Sequence, residues 1–212
     1  MKAARRMELA AVVLFVAAMP ALGWHGPGHE RAARAAVEAT ADLMPPFFSE
    51  GVETLLHCAV DPDLFTRPIA PGELHATESP EHYIDLERLD GAPVPRTRQD
   101  LLALCCEKGM DLSKVGTVPY AIVEWTQRLS VALAEYRRWP DDVSIQRKCL
   151  VYAGILSHYT ADLCQPLHTT VDYDGRVKPD GSSPHSGIHL RVDALLGKLP
   201  VGEPVEIRAS QL

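Results

Sequence analysis

The chain has 212 residues, with 21 Lys and Arg against 28 Asp and Glu, a net charge of −7. That balance excludes a general basic surface for nucleic acid, so an anionic partner has to be drawn by something local, and bound divalent cations are the obvious candidate. Five cysteines make an odd count with no C-x2-C pair, which excludes a zinc ribbon or a haem attachment and leaves any disulfide connectivity open.

The first residues read as a secretory signal. Lys2, Arg5 and Arg6 form a basic start, residues 9–19 an apolar run, and Pro20-Ala21-Leu22-Gly23 a small-residue cleavage site. The run is too short to span a bilayer comfortably, and no second one follows. Residues 1–23 are therefore expected to be removed, leaving residues 24–212 as one exported domain, secreted or periplasmic, with no stable membrane span. An uncleaved anchor is the alternative.

Beyond residue 23 the pattern is helical. Pro27 suits the first turn of a helix running towards Leu43, where Pro45-Pro46 stops it. Residues 47–59 form a second amphipathic piece, and residues 61–80, rich in proline and acid, read as a loop. A short helix is expected over 98–107. A long one is expected over 118–138, with Pro119 at its start and Ile122, Val123, Leu129, Leu133 and Tyr136 at helical intervals. Asp141 or Asp142 can cap a helix over 143–165. After a Gly/Pro/Ser-rich turn at 175–184, residues 187–196 read as the last helix. No alternating strand pattern and no repeat appears, so the expectation is an all-α single domain of six to seven helices.

The chemistry centres on residues 155–168. His158 and Asp162 stand at i and i+4, which puts both side chains on one helical face, as two metal ligands on one helix require. Pro166 disfavours helical geometry at Gln165, so the chain should turn there and swing His168 back towards the pair. The same histidine–aspartate spacing recurs at His189 and Asp193. His82 and Asp85 sit where the long loop returns to order, Asp61 and Asp63 open that loop, and His29 lies on the first helix. One histidine on an apolar face is usually core, but two such pairs with these companions could serve more than one ion. Cys164 reads as packing or half a disulfide, since no activating base stands near it in sequence.

These motifs resemble the zinc-dependent phospholipase C and single-strand-specific nuclease superfamily, whose members are exported all-helical enzymes holding three zinc ions. The resemblance rests on Trp24 at the cleaved start, His29, the Pro-Asp of Asp63, the H-[FY]-I-D form of His82 to Asp85, the H-x3-D-x3-Q-P-L-H form of His158 to His168, and the G-I-H-x3-D form of His189 to Asp193. It covers most of residues 24–193. It implies that Asp63, His82, His158 and Asp162 hold one zinc; that Trp24, through its free amine and carbonyl, holds a second with His29 and the shared Asp162; and that His168, His189 and Asp193 hold the third. His25 for His29, Asp61 for Asp63, and His185 paired with His189 stay open.

The implied reaction is in-line hydrolysis of a phosphodiester with no nucleophilic side chain, with Asp63 and Asp162 in the catalytic centre. Arg67 is the nearest counterpart of an arginine that some of these nucleases place after the loop aspartate, one residue off the spacing. Tyr83 is the counterpart of an aromatic that stacks a base, and Asp85 is either an orienting partner of a zinc histidine or a loop carboxylate. The substrate is expected to be single-stranded DNA or RNA, with phospholipid head groups or a non-catalytic zinc-binding role as alternatives. Only 19 residues follow Asp193, fewer than the resemblance implies. An open cleft, completion by another chain or a shortened relative would each account for that. Nothing in the sequence speaks to the oligomeric state.

Overall fold

The computed structural model describes residues 26–68 and 70–198. The expected signal segment at residues 1–23, together with Trp24 and His25, lies outside the described residues. Helix α1 (Gly26–Ala39) begins with Pro27 in its first turn and buries Gly28, His29 and Ala33. It ends four residues short of Leu43, at Thr40, whose hydroxyl donates to the Ala36 carbonyl at 2.7 Å and offers the backbone an alternative to a further turn. The expected 47–59 piece is two helices, α2 (Phe47–Glu50) and α3 (Val52–Cys58), interrupted at Gly51.

Residues 61–80 are mostly helical rather than a loop. Helix α4 (Asp61–Phe65), α5 (Gly72–Glu78) and a 3₁₀ turn (Ser79–His82) fill them. Pro68 lies in the turn between α4 and α5, while the other three of the four prolines stand at a start, Pro62 and Pro80 in first turns and Pro71 at the cap before α5. A missing N–H costs nothing at those positions. A second 3₁₀ turn (Leu86–Leu89) leads to α6 (Arg98–Lys108), whose cap Thr97 accepts from Asp100 N. The short α7 (Leu112–Val115) had no counterpart in the sequence pattern.

The two long helices fall where the spacing puts them. Helix α8 is Val118–Arg138, and α9 is Val143–Leu163, capped by the Asp142 carboxylate, which accepts from the Ser144 and Ile145 amides. Gln165 is extended, at φ −91° and ψ 114°, before a 3₁₀ turn (Pro166–Thr169). Helix α10 (Ile188–Leu196) follows Gly187. Among the described residues, five helices have nine residues or more and the others four to seven. Among the described residues the one strand-like feature is an isolated bridge between Ile84 and Gly116. No helix there is long and apolar enough to cross a membrane.

Helix α9 is the axis, packed on α8, α3 and α1. Its first half joins Phe47, Phe48, Leu55, Leu56 and Leu150 in one apolar cluster, and its second half meets Ile84, Val118, Ala121 and Tyr159 in another. Each such buried side chain contributes roughly 1.5–3 kcal/mol of transfer free energy. Gly154 sets the closeness of α9 to α3: a Cβ there would lie 2.4 Å from the Leu55 carbonyl oxygen and 2.8 Å from Cys58 Cβ. All five cysteines are free. Cys58, Cys105 and Cys149 are buried and serve as packing, whereas Cys164 is exposed and pairs with no other cysteine of the chain.

Candidate metal centre

The close approach at Gly154 carries through to the next turn of α9. There His158, fully buried, sets Nδ1 2.8 Å from the Ala59 carbonyl oxygen. A backbone acceptor at Nδ1 holds the proton on that nitrogen and leaves Nε2 free to offer its lone pair. Nε2 lies 3.2 Å from Asp162 Oδ2 and 3.0 Å from His82 Nδ1. His82, at the end of its 3₁₀ turn, is itself 3.0 Å from the same Asp162 oxygen. The other oxygen of Asp162 faces different rings: His29 Nε2 is 3.5 Å away and His168 Nδ1 is 3.6 Å away. One buried carboxylate is thus flanked by imidazoles on both oxygens. His29 also stacks on His158 with centroids 3.7 Å apart.

Around this core the His/Asp side chains form three groups that could hold metal ions: His29, His158 and Asp162; Asp63, His82 and His158; His168, His189 and Asp193. In the third, His189 Nε2 is 3.2 Å from Asp193 Oδ2, and His168 Nε2 is 4.0 Å from Asp193 Oδ1. His168 is anchored through Nδ1, 2.7 Å from the His82 carbonyl oxygen. Every predicted ligand among the described residues therefore falls in one of the three groups. Asp61 does not; it sits beside Cys58. His185 is exposed and stays outside as well.

The electrostatics suit a cation. Burial, then the charge on His158, lowers His29 to about 2, so its ring is neutral and offers a lone pair. Burial works against a charge on Asp162, but His158, followed by His82 and His168, outweighs it and holds the carboxyl well below the usual range. Burial pushes the Asp63 and Asp193 carboxyls up, with His158 and His82 offsetting the first in part and His189 the second. Asp63 Oδ2, His82 Nε2, His168 Nε2 and Asp193 Oδ2 are buried without a hydrogen bond among the described residues. An unsatisfied buried polar atom costs about 1–3 kcal/mol. Ions held in the second and third groups would take up donors of this kind, so the residues present fit the group that the sequence motifs imply.

A cleft of about 380 Å³ opens beside the third group, lined by His82, Tyr83, Asp85, Arg88, Lys114, Leu167, His168, Tyr173 and His189. The Tyr83 hydroxyl donates to the Ser113 carbonyl, which pins the ring on the cleft wall. Gly116 permits this: at φ +84° its Cβ would lie 2.2 Å from the Tyr83 carbonyl oxygen. Asp85 accepts from Arg88 Nε at 3.1 Å and touches no imidazole, so it is a loop carboxylate and not an orienting partner. Arg67 is half-buried after α4. Its charge eases ionisation of Asp63, but it does not line the cleft. A larger open hollow of about 500 Å³ along α8 and α9 holds Glu124, Arg128, Glu135 and Lys148 and none of the candidate ligands.

Sequence spacing did not single out Gln165, Arg88, Lys114 or Tyr173. Gln165 stood in the Q-P-L-H motif, which was a signal in hand. The other three reach the cleft from separate turns, and no spacing connects them. Fold and site together define an all-helical chain with a buried His/Asp cluster able to hold metal ions. No family model, curated protein or solved structure matches the chain.

Proposed function

We propose that the chain is a zinc-dependent hydrolase of phosphodiester bonds, an exported nuclease or nucleotidase acting on single-stranded nucleic acid. The observation that carries this reading is Asp162, one buried carboxylate with His82 and His158 on one oxygen and His29 and His168 on the other. Asp63, His82, His158 and Asp162 would hold one ion; His29 and Asp162, with Trp24, a second; His168, His189 and Asp193 a third. Bound zinc would supply Lewis acidity, lowering the pKa of a water at the site and offsetting charge that develops on phosphoryl oxygens.

The chain's own part is to gather imidazoles around Asp162, keep that carboxylate ionised, and shape the cleft beside them. Tyr83 and Tyr173 offer ring faces suited to unpaired bases, which every base can use. Lys114 puts a cation on the rim beside Arg88, which is paired with Asp85, and that cation attracts a phosphate backbone. The same cation disfavours a choline head group, which weighs against phospholipid. Zinc-loaded protein assayed on single-stranded DNA, on RNA and on phosphatidylcholine tests the reading. Cleavage of the nucleic acids is expected. Cleavage of the lipid alone, or zinc bound without turnover, overturns it.

A further inference from the structure

We propose that Gln165 is the positioning residue for the His168, His189 and Asp193 group, holding Asp193 so that one oxygen, Oδ2, is left to face an ion. The inference rests on the metal-binding reading above and assigns a role that the ligands alone do not explain. Gln165 is 2% exposed at the end of α9, where the extended backbone before Pro166 turns its side chain inward. Its Nε2 donates to Asp193 Oδ1 at 2.8 Å, and its Oε1 accepts from the Leu167 amide at 2.6 Å. One side-chain amide therefore ties α10, through Asp193, to the 3₁₀ turn that carries His168.

Both consequences bear on the same space. With Oδ1 engaged, Asp193 Oδ2 is buried with no hydrogen bond among the described residues, and so is His168 Nε2. His168 is locked from its far side by the His82 carbonyl oxygen. Ligand atoms of His168, His189 and Asp193 all lie within 4.8 Å of one another. Only an amide does both jobs at once. A carboxylate in its place keeps the acceptor for Leu167 but repels Asp193, and an apolar side chain leaves Asp193 Oδ1 buried without its donor.

Gln165→Glu separates positioning from mere helix termination, because it retains the Leu167 hydrogen bond and loses only the donor to Asp193. Zinc bound per chain and zinc affinity, by elemental analysis and by competition with a chromophoric chelator, are the readouts, with far-UV circular dichroism as the folding check. One ion should weaken by about 10- to 100-fold, as loss of an orienting partner typically does, with the rest held as in wild type. Gln165→Met should weaken the same ion. Combining Gln165→Glu with His189→Ala should add little, whereas combining it with His29→Ala should remove a second, separate ion. Wild-type zinc affinity in Gln165→Glu and Gln165→Met overturns the inference and leaves the metal reading intact. A wild-type chain that binds no zinc overturns both.

Discussion

Two polar regions lie beside α9, a half-buried one around Arg98 and a buried one around Asp162, and they satisfy their charges differently. Around Arg98, every charge finds its counterpart within the chain: Nη1 and Nη2 donate to the two Glu81 oxygens at 2.5 and 2.8 Å, and Nε donates to Glu124 at 2.7 Å. Thr117 Oγ1 adds a donor to Glu81 at 2.9 Å, and the guanidinium lies 5.8 Å from the Tyr120 ring centroid. Hydrogen bonding to Glu81 foremost raises the Arg98 pKa further. Around Asp162, the chain instead collects imidazoles and carboxylates, and Asp63 Oδ2, His82 Nε2, His168 Nε2 and Asp193 Oδ2 have no hydrogen bond among the described residues. The ion-pair network closes on itself, whereas the His/Asp cluster keeps polar atoms without a hydrogen bond among the described residues. The difference between them separates a polar core from a candidate site.

Breaking each region should give opposite signatures. Asp162→Ala has the largest expected effect, the loss of more than one zinc per chain, because both of its oxygens face ligand groups. Elemental analysis showing one ion lost, or none, would defeat the shared role. Chelation should sharpen the contrast. Stripping zinc from wild type should lower the melting temperature substantially, since ligand at a thousandfold excess over Kd adds about 4 kcal/mol. Acid should act as chelation does, because imidazole and carboxylate donors bind only when deprotonated, so ions are released as the pH falls.

Arg98→Ala comes next. It strands Glu81 and Glu124, which are only partly exposed, and should cost about 2–3 kcal/mol in denaturant unfolding with zinc content unchanged. Altered zinc content in that variant would mean that the two regions are one. The smallest effect is expected from Lys114→Gln: a few-fold weaker binding of a phosphorothioate tetrathymidylate. Its salt dependence should be shallower by about 0.7 in log–log slope, the value for one lost phosphate contact on a single strand. Equal binding and an equal slope would remove Lys114 from the substrate surface.

The sequence was most legible where one helix carries the signal. Residues 118–138 and the Asp142 cap were readable because helical spacing and capping act over a few residues and α9 lies in the core on which the other helices pack. Residues 61–80 were misread because proline count says little about whether each proline stands inside a helix or at its start. The pairs His158–Asp162 and His189–Asp193 were visible for the same local reason. That Asp63 and not Asp61 joins a group, and that His189 is grouped with Asp193 and not with His185, depends on how the chain packs.

By itself, then, the sequence determined the helical class, the two i, i+4 histidine–aspartate pairs and the turn at Pro166, all of them consequences of short-range backbone geometry. The tertiary structure decided the rest: that Asp162 turns its two oxygens to different imidazoles, that Gln165 reaches Asp193 across 28 positions, and that Arg88, Lys114, Tyr83 and Tyr173 share one cleft. Those relations depend on how closely helices approach, and here a glycine at 154, with no side chain to hold α3 away, sets that distance for the residue one turn later.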